Sequence, residues 1–209
     1  MIILDCEQGS DEWFAARLGI PGASNFGKIL TATGKASTQD VAYRHKLLVE
    51  WIVGETEESF ESDWMERGNE VEEEARGFYA MLQDVEVQQV GLVYKDDDKT
   101  IECSPDGLVG DDGGLELKVP APHTHVGYLL DNKLPTKYIP QVQGNMWITG
   151  RLWWDFMSYS PSMEPLIIRV DRDDAYILRL AAAISRFVEK MLEEQETLKA
   201  RGIVPAVAA

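Results

Sequence analysis

Residues 104-SPDGLVGDDGGLELKVP-120 decide how this chain is read. The segment predicts a hairpin. Ile101–Ser104 and Gly107–Val109 read as strand, 111-DDGG-114 as the turn, and Leu115–Val119 as the returning strand. Side chains alternate along a strand, so Glu116 and Lys118 share one face while Leu115 and Leu117 take the other. Folding back through the turn sets Asp106 beside Glu116, so two carboxylates and an amine converge. Two like charges ~4 Å apart repel by about 4 kcal/mol at an effective dielectric of ~20. A divalent cation removes that cost, and hard oxygen ligands without His or Cys favour Mg²⁺ or Mn²⁺ over Zn²⁺. Such a site suits phosphodiester hydrolysis: bound metals polarise the phosphoryl oxygen and help generate hydroxide. A lysine there, out of bulk water, is expected to have a lowered pKa and to orient or deprotonate the attacking water. An Asp with a later Glu-x-Lys also arises by chance, and a surface hairpin of alternating charges fits these residues too.

Outward from the hairpin, the period changes. Upstream, Ser10 starts a helix that Gly19 and Pro21 stop, and Ser24 caps a short second one. The segment 31-TATGKASTQD-40 is a polar loop. A helix from Thr38 to Gly54 carries the stripe Val41, His45, Leu48 and Ile52, and another from Arg67 to Gln83 carries Val71, Ala75, Phe78 or Tyr79, and Leu82. Val85–Tyr94 reads as one strand. Downstream, Pro120 and Pro122 end the hairpin, helices cover 126–132 and 136–149, and strands cover 152–159 and 166–170. A long helix over 174–199 turns Ile177, Leu180, Ile184, Phe187, Met191 and Leu192 inward. This order predicts a single α/β domain over residues 1–209.

Composition bounds the function classes. The 209 residues carry 36 Asp+Glu against 20 Lys+Arg, a formal net charge of −16. Charge of that sign argues against coating nucleic acid by bulk attraction. The acidity is uneven: Glu55 to Glu74 holds ten acidic residues and one Arg, whereas Lys28, Lys35, Arg44 and Lys46 face only Asp40. The acidic run reads first as a solvated face. Two cysteines, Cys6 and Cys103, are too few for a disulfide scaffold or a four-cysteine iron–sulfur cluster. No apolar run reaches the ~18–20 residues of a membrane span, and no signal peptide is visible. These features read as a cytosolic protein with reduced thiols. His123-Thr124-His125 reads as a surface feature, and Cys103 as a buried small hydrophobe.

The sequence resembles the lambda exonuclease (YqaJ-like) family of phage recombination nucleases, within the PD-(D/E)XK superfamily. The resemblance runs in family order through QGSDEWFAARLGIPGAS at 8–24, RGNEVEEEARGFY at 67–79, SPDGLVGDDGGLELKVP at 104–120, YIPQVQGNMWITG at 138–150 and WWDFMSYSP at 153–161. It implies a restriction-endonuclease-like fold, a central mixed β-sheet flanked by α-helices. It implies that Asp106, Glu116 and the backbone carbonyl of Leu117 bind Mg²⁺, with Lys118 assisting the nucleophilic water. An upstream helical Glu belongs to the same site; aligning on Gly68 it is Glu72, with Glu70, Glu73 and Glu74 as competitors. A pocket for a terminal 5′-phosphate would comprise Arg17, Ser24, Ser104 and Gln141. Gln143 would face elsewhere. Met65, beside Trp64, matches an apolar wedge at the duplex end, and packing under the helix is the equal alternative. The chain departs from lambda exonuclease at Arg67 (Trp there) and Val119 (Cys there), neither a proposed ligand.

The implied activity is a Mg²⁺-dependent 5′-to-3′ exonuclease on linear double-stranded DNA, releasing mononucleotides and leaving a 3′ single strand. Implied partners are two further copies in a ring-shaped homotrimer, and a single-strand annealing protein. Another nuclease of the superfamily, or a catalytically silent interaction protein, are the alternatives. On this reading the charge predicts DNA gripped at an end, inside, and repelled by the outer surface, where Glu57, Glu58 and Glu61 are candidates.

Overall fold

The computed structural model describes residues 1–56 and 63–205, with backbone only over 63–70. The elements are β1 (Ile2–Leu4), α1 (Asp11–Arg17), a 3-10 helix (Ala23–Lys28), α2 (Asp40–Val53), α3 (Asp63–Gln83), β2 (Val87–Gln88), β3 (Leu92–Tyr94), β4 (Glu102–Cys103), β5 (Gly107–Val109), β6 (Gly113–Lys118), α4 (Pro122–Asp131), a 3-10 turn (Thr136–Tyr138), α5 (Ile139–Thr149), β7 (Trp153–Ser158), β8 (Leu166–Asp171) and α6 (Asp174–Ala200). Five strands form a sheet in the order β2-β5-β6-β7-β8, and three form a smaller sheet, β1-β3-β4. Every pairing is antiparallel except β6 with β7. Parallel neighbours need a long crossover, and α4 with α5 supply it.

The pleat of β6 sorts the core. Leu115 and Leu117 are fully buried against Ala75 and Tyr79 of α3, with Met157 beside them. On the other face, α5 brings Gln141 and Asn145 to Glu116. A second cluster joins α2, α5, α6, the first 3-10 helix and the small sheet through Phe26, Leu47, Val93, Met146, Leu180 and Ile184. Residues 55–74 were the acidic run; Glu57, Glu58 and Glu61 lie outside the described residues, as do the side chains of Trp64, Met65, Arg67 and Glu70.

Several expectations shift. The turn sits at Gly110–Asp112, with Gly110 at φ +52°, and Gly113 and Gly114 already belong to β6. There a Cβ would run into the rings of Trp153 and Trp154, so these glycines answer to close packing across the parallel pair. The expected strand Val85–Tyr94 divides into β2 and β3, which belong to different sheets. The Gly91 carbonyl between them accepts from Trp13 Nε1 and Ser104 Oγ. Helix α2 buries Tyr43, Arg44, Leu47 and Leu48, while Val41 and His45 face solvent. Its orientation is set by α6, where Tyr43 stacks on Phe187 and Arg44 pairs with Glu194 at 2.8 Å. Leu192 of α6 is exposed, one position off the inward stripe. Pro122 starts α4, because a residue without an N–H costs nothing in a first turn. Gly22, and not Ser24, is the N-cap residue of the six-residue 3-10 helix.

Candidate functional site

The register of the hairpin sets the site. Gly107 pairs with Leu115, so Asp106 stands opposite Glu116. Asp106 Oδ2 accepts the Leu117 N–H at 2.6 Å. Glu116 is 1% exposed and accepts from three side chains: Lys118 Nζ and Gln141 Nε2 (2.6 Å) at Oε1, and Asn145 Nδ2 (3.1 Å) at Oε2. Helix α3 contributes Glu72, partly buried beside Val71, and Arg76 one turn on, whose Nε donates to the Asp106 carbonyl at 2.8 Å. Glu72, Glu73, Arg76 and Asp106 share one wall of a cleft of about 740 Å³; Asp5, Glu7, Gln8, Trp13 and Phe14 form much of the other. Glu74 turns away and accepts from Tyr159 Oη at 2.5 Å.

Burial dominates the electrostatics. Glu116 is pushed up to about 7, first by burial and then by Asp106, against the pull of Lys118. Glu72 is likewise pushed up to about 7 by burial and by Asp106. Asp106 is raised by burial, with Lys118 and the Leu117 N–H opposing. Lys118 departs from expectation. Burial works to lower it, but the Glu116 and Asp106 carboxylates outweigh burial, and the net shift is upward. Its ammonium is held charged by the acids around it.

The donor set, hard carboxylate oxygens short of positive charge, fits a divalent cation. Among the described residues, however, no three His, Cys, Asp or Glu side chains form a gathered cage. Both Glu116 oxygens and Asp106 Oδ2 already accept N–H groups. A cation here would displace some of those donors.

The residues expected around a phosphate are brought together in part. Arg17 closes α1, its guanidinium 3.9 Å from the Trp13 ring centroid. Trp13 Nε1 donates to Ser104 Oγ at 2.9 Å, so one indole links Arg17 to Ser104. Ser24 is exposed on a six-residue 3-10 helix, too short for its N-terminus to add a strong dipole to anion binding. Gln141 touches Glu116, which sets it at the carboxylates. Gln143 instead donates to the Asp171 carbonyl and accepts the Asp173 N–H.

Trp13, Arg76 and Asn145 were missed by the sequence reading. Each lies four residues from a predicted site residue on the same helix (Arg17, Glu72 and Gln141), the spacing that puts side chains side by side. His123 is exposed, as expected, but His125 is fully buried. It sits 2.8 Å from Ser158 Oγ and 3.0 Å from the Glu164 carbonyl, a structural tie that the surface reading of the pair overlooked.

A mixed sheet flanked by helices, with an Asp at one strand facing a Glu-x-Lys on the next, makes this a mixed α/β protein with an acidic site at its hairpin. The YqaJ-like viral recombinase domain matches residues 12–152, and the chain belongs to that family. The crystal structure of the alkaline exonuclease LHK-Exo from Laribacter hongkongensis is similar at TM-score 0.83 and 35% identity, covering 92% of this chain and 98% of that one. The same exonuclease in complex with dAMP gives TM-score 0.82 and 34% identity over the same shares. A phage-related exonuclease from Haemophilus somnus shares the fold, with TM-score 0.61 and 15% identity over 84% of this chain and 96% of that one. No curated protein matches the chain. Among the described residues, no helix is long and apolar enough to cross a membrane.

Proposed function

We propose that this chain is a Mg²⁺-dependent 5′-to-3′ exonuclease of linear double-stranded DNA, encoded by a phage or prophage and acting in the bacterial cytoplasm. It forms a single restriction-endonuclease-like domain of the PD-(D/E)XK type over residues 1–209. The reading is supported most by one observation: Asp106 faces Glu116 across the β5–β6 hairpin with Lys118 on the same pleat, and Glu72 of α3 interacts with Asp106 and Lys118. Family membership and the likeness to an alkaline exonuclease solved with dAMP point the same way.

Asp106, Glu116, Glu72 and the Leu117 carbonyl would hold the cation, with Mn²⁺ able to substitute. Bound there, a divalent ion supplies charge neutralisation at the phosphoryl oxygen and a more acidic water. The chain's own groups do the rest. Lys118, charged and fixed to Glu116, orients the attacking water and faces the negative charge that develops on the phosphate. Gln141 and Asn145 hold the Glu116 carboxylate in place. Arg17 offers a planar fork of donors to the terminal 5′-phosphate and Ser24 a hydroxyl, while Ser104 would join them by turning its O–H from the Gly91 carbonyl to the phosphate. Met65 is the candidate wedge at the duplex end. Mononucleotides leave, and the 3′ strand remains for a single-strand annealing partner. A homotrimeric ring would thread the duplex and keep the outer acidic surface away from it.

The test uses linear duplexes with 5′-phosphate or 5′-hydroxyl ends, plus a closed circle, each with Mg²⁺. The linear duplex is degraded, faster with 5′-phosphate, and the circle survives. Cutting of the circle would point to an endonuclease; no cutting with Mg²⁺ or Mn²⁺ would point to a silent binding protein.

A further inference from the structure

Glu102 is a buried acid that the mechanism above leaves unused. It lies in β4 at 1% exposure, and its backbone N–H donates to the Pro21 carbonyl at 3.3 Å. The neighbouring Gly22 forms a parallel bridge to it. Its Oε1 stands 3.4 Å from Arg17 Nε, and the Arg17 side chain is 14% exposed. The same guanidinium lies over Trp13, whose indole N–H holds Ser104. Arg17 is thus gripped on one edge by Glu102 and on one face by Trp13.

Position 22 is shaped around this carboxylate. A Cβ on Gly22 would overlap Glu102 Oε1. The backbone there is extended, at φ −100°, which any residue can adopt. Space for the carboxylate, and not conformational freedom, is what a side chain at position 22 would violate.

We infer that Glu102 is a positioning residue for Arg17 and thereby sets the preference for a terminal phosphate. The inference rests on the reading of Arg17 as a phosphate ligand. A free arginine side chain must be ordered when it binds, and that ordering costs affinity. Holding the Nε edge and one face beforehand removes much of the cost and fixes the direction in which the remaining N–H groups point. A buried carboxylate directed at the phosphate itself would repel it, so its place behind the guanidinium is what allows it to help.

The experiment compares kcat/KM on duplexes with 5′-phosphate and 5′-hydroxyl ends, each with Mg²⁺. The variants are Glu102→Ala, Glu102→Gln, Gly22→Ala, Arg17→Ala and the Arg17→Ala/Glu102→Ala pair. Glu102→Ala is expected to lower the phosphate preference roughly tenfold, mainly through KM on the phosphorylated end, with the hydroxyl end little changed. Glu102→Gln keeps an oxygen for Nε and should retain the preference to within about threefold. Gly22→Ala leaves every charge in place but displaces the carboxylate, so it should lower the preference too; it carries the test if Glu102→Ala does not fold. The pair should fall no lower than Arg17→Ala alone. Equal losses on both ends, or an unchanged preference in Glu102→Ala and Gly22→Ala, would overturn the inference. If Arg17→Ala itself leaves the preference intact, the phosphate-pocket reading falls, and the inference falls with it.

Discussion

Removing metal should make the fold sensitive to pH in a direction set by Glu116. Burial pushes its carboxyl up to about 7 in the folded chain, from an ordinary value of 4.5. Between those values the folded state binds a proton that the unfolded state has released. Stability from this group is therefore fully present below pH 4.5 and is lost as pH rises through 7. Raising a buried carboxyl from 4.5 to about 7 corresponds to on the order of 3 kcal/mol. For a chain of this size that is on the order of 6–12 °C in Tm. Glu72 titrates against the same Asp106, so its shift is not added to this figure. The assay is thermal unfolding in EDTA from pH 5 to 8, repeated with Mg²⁺. The midpoint should fall with rising pH in EDTA, and Mg²⁺ should restore it at pH 8 far more than at pH 5, because the cation binds the ionised carboxylates. Glu116→Gln should flatten the fall. A flat EDTA profile, or a Mg²⁺ increment equal at both pH values, would refute the reasoning.

Other perturbations test separate parts of the account. Lys118→Ala should abolish cleavage while leaving duplex binding, measured by gel shift with Ca²⁺ in place of Mg²⁺; cleavage at the wild-type rate would remove Lys118 from the mechanism. Asn145→Ala strips one of three donors from a buried carboxylate. It should lower kcat about tenfold with KM nearly unchanged in a steady-state assay. Gly144→Ala places a Cβ 2.5 Å from Phe26 Cδ2, where α5 packs on the first 3-10 helix. The helix-propensity gain of ~1 kcal/mol is outweighed by overpacking of roughly 1–3 kcal/mol, so denaturant unfolding should show a net loss of stability.

What was legible in the sequence is what short-range geometry fixes. The two-residue period of β6 sends Leu115 and Leu117 to α3 and Glu116 and Lys118 to the opposite face. The close of the hairpin then sets Asp106 opposite Glu116, whatever the rest of the fold does. The start of α1 was equally local: Ser10 caps it by accepting the Trp13 N–H at 3.2 Å. Features decided by distant partners were not legible. The break between β2 and β3 depends on Trp13 and Ser104 reaching the Gly91 carbonyl. The buried face of α2 is chosen by α6, more than a hundred residues later. Glu102 and Gly22 fit one another across eighty positions, and neither residue type announces the match. The upward shift of Lys118 could not be read either, because local sequence does not say whether burial or the carboxylates prevail.

The central claim is hydrolysis from the 5′ end. A linear duplex with 5′-phosphate ends, labelled at the 5′ end of one strand and the 3′ end of the other, tests it directly in the presence of Mg²⁺. The account predicts early release of the 5′ label as a mononucleotide while the 3′ label remains on a long single strand. Early release of the 3′ label, or release of either label on internal fragments, would contradict it.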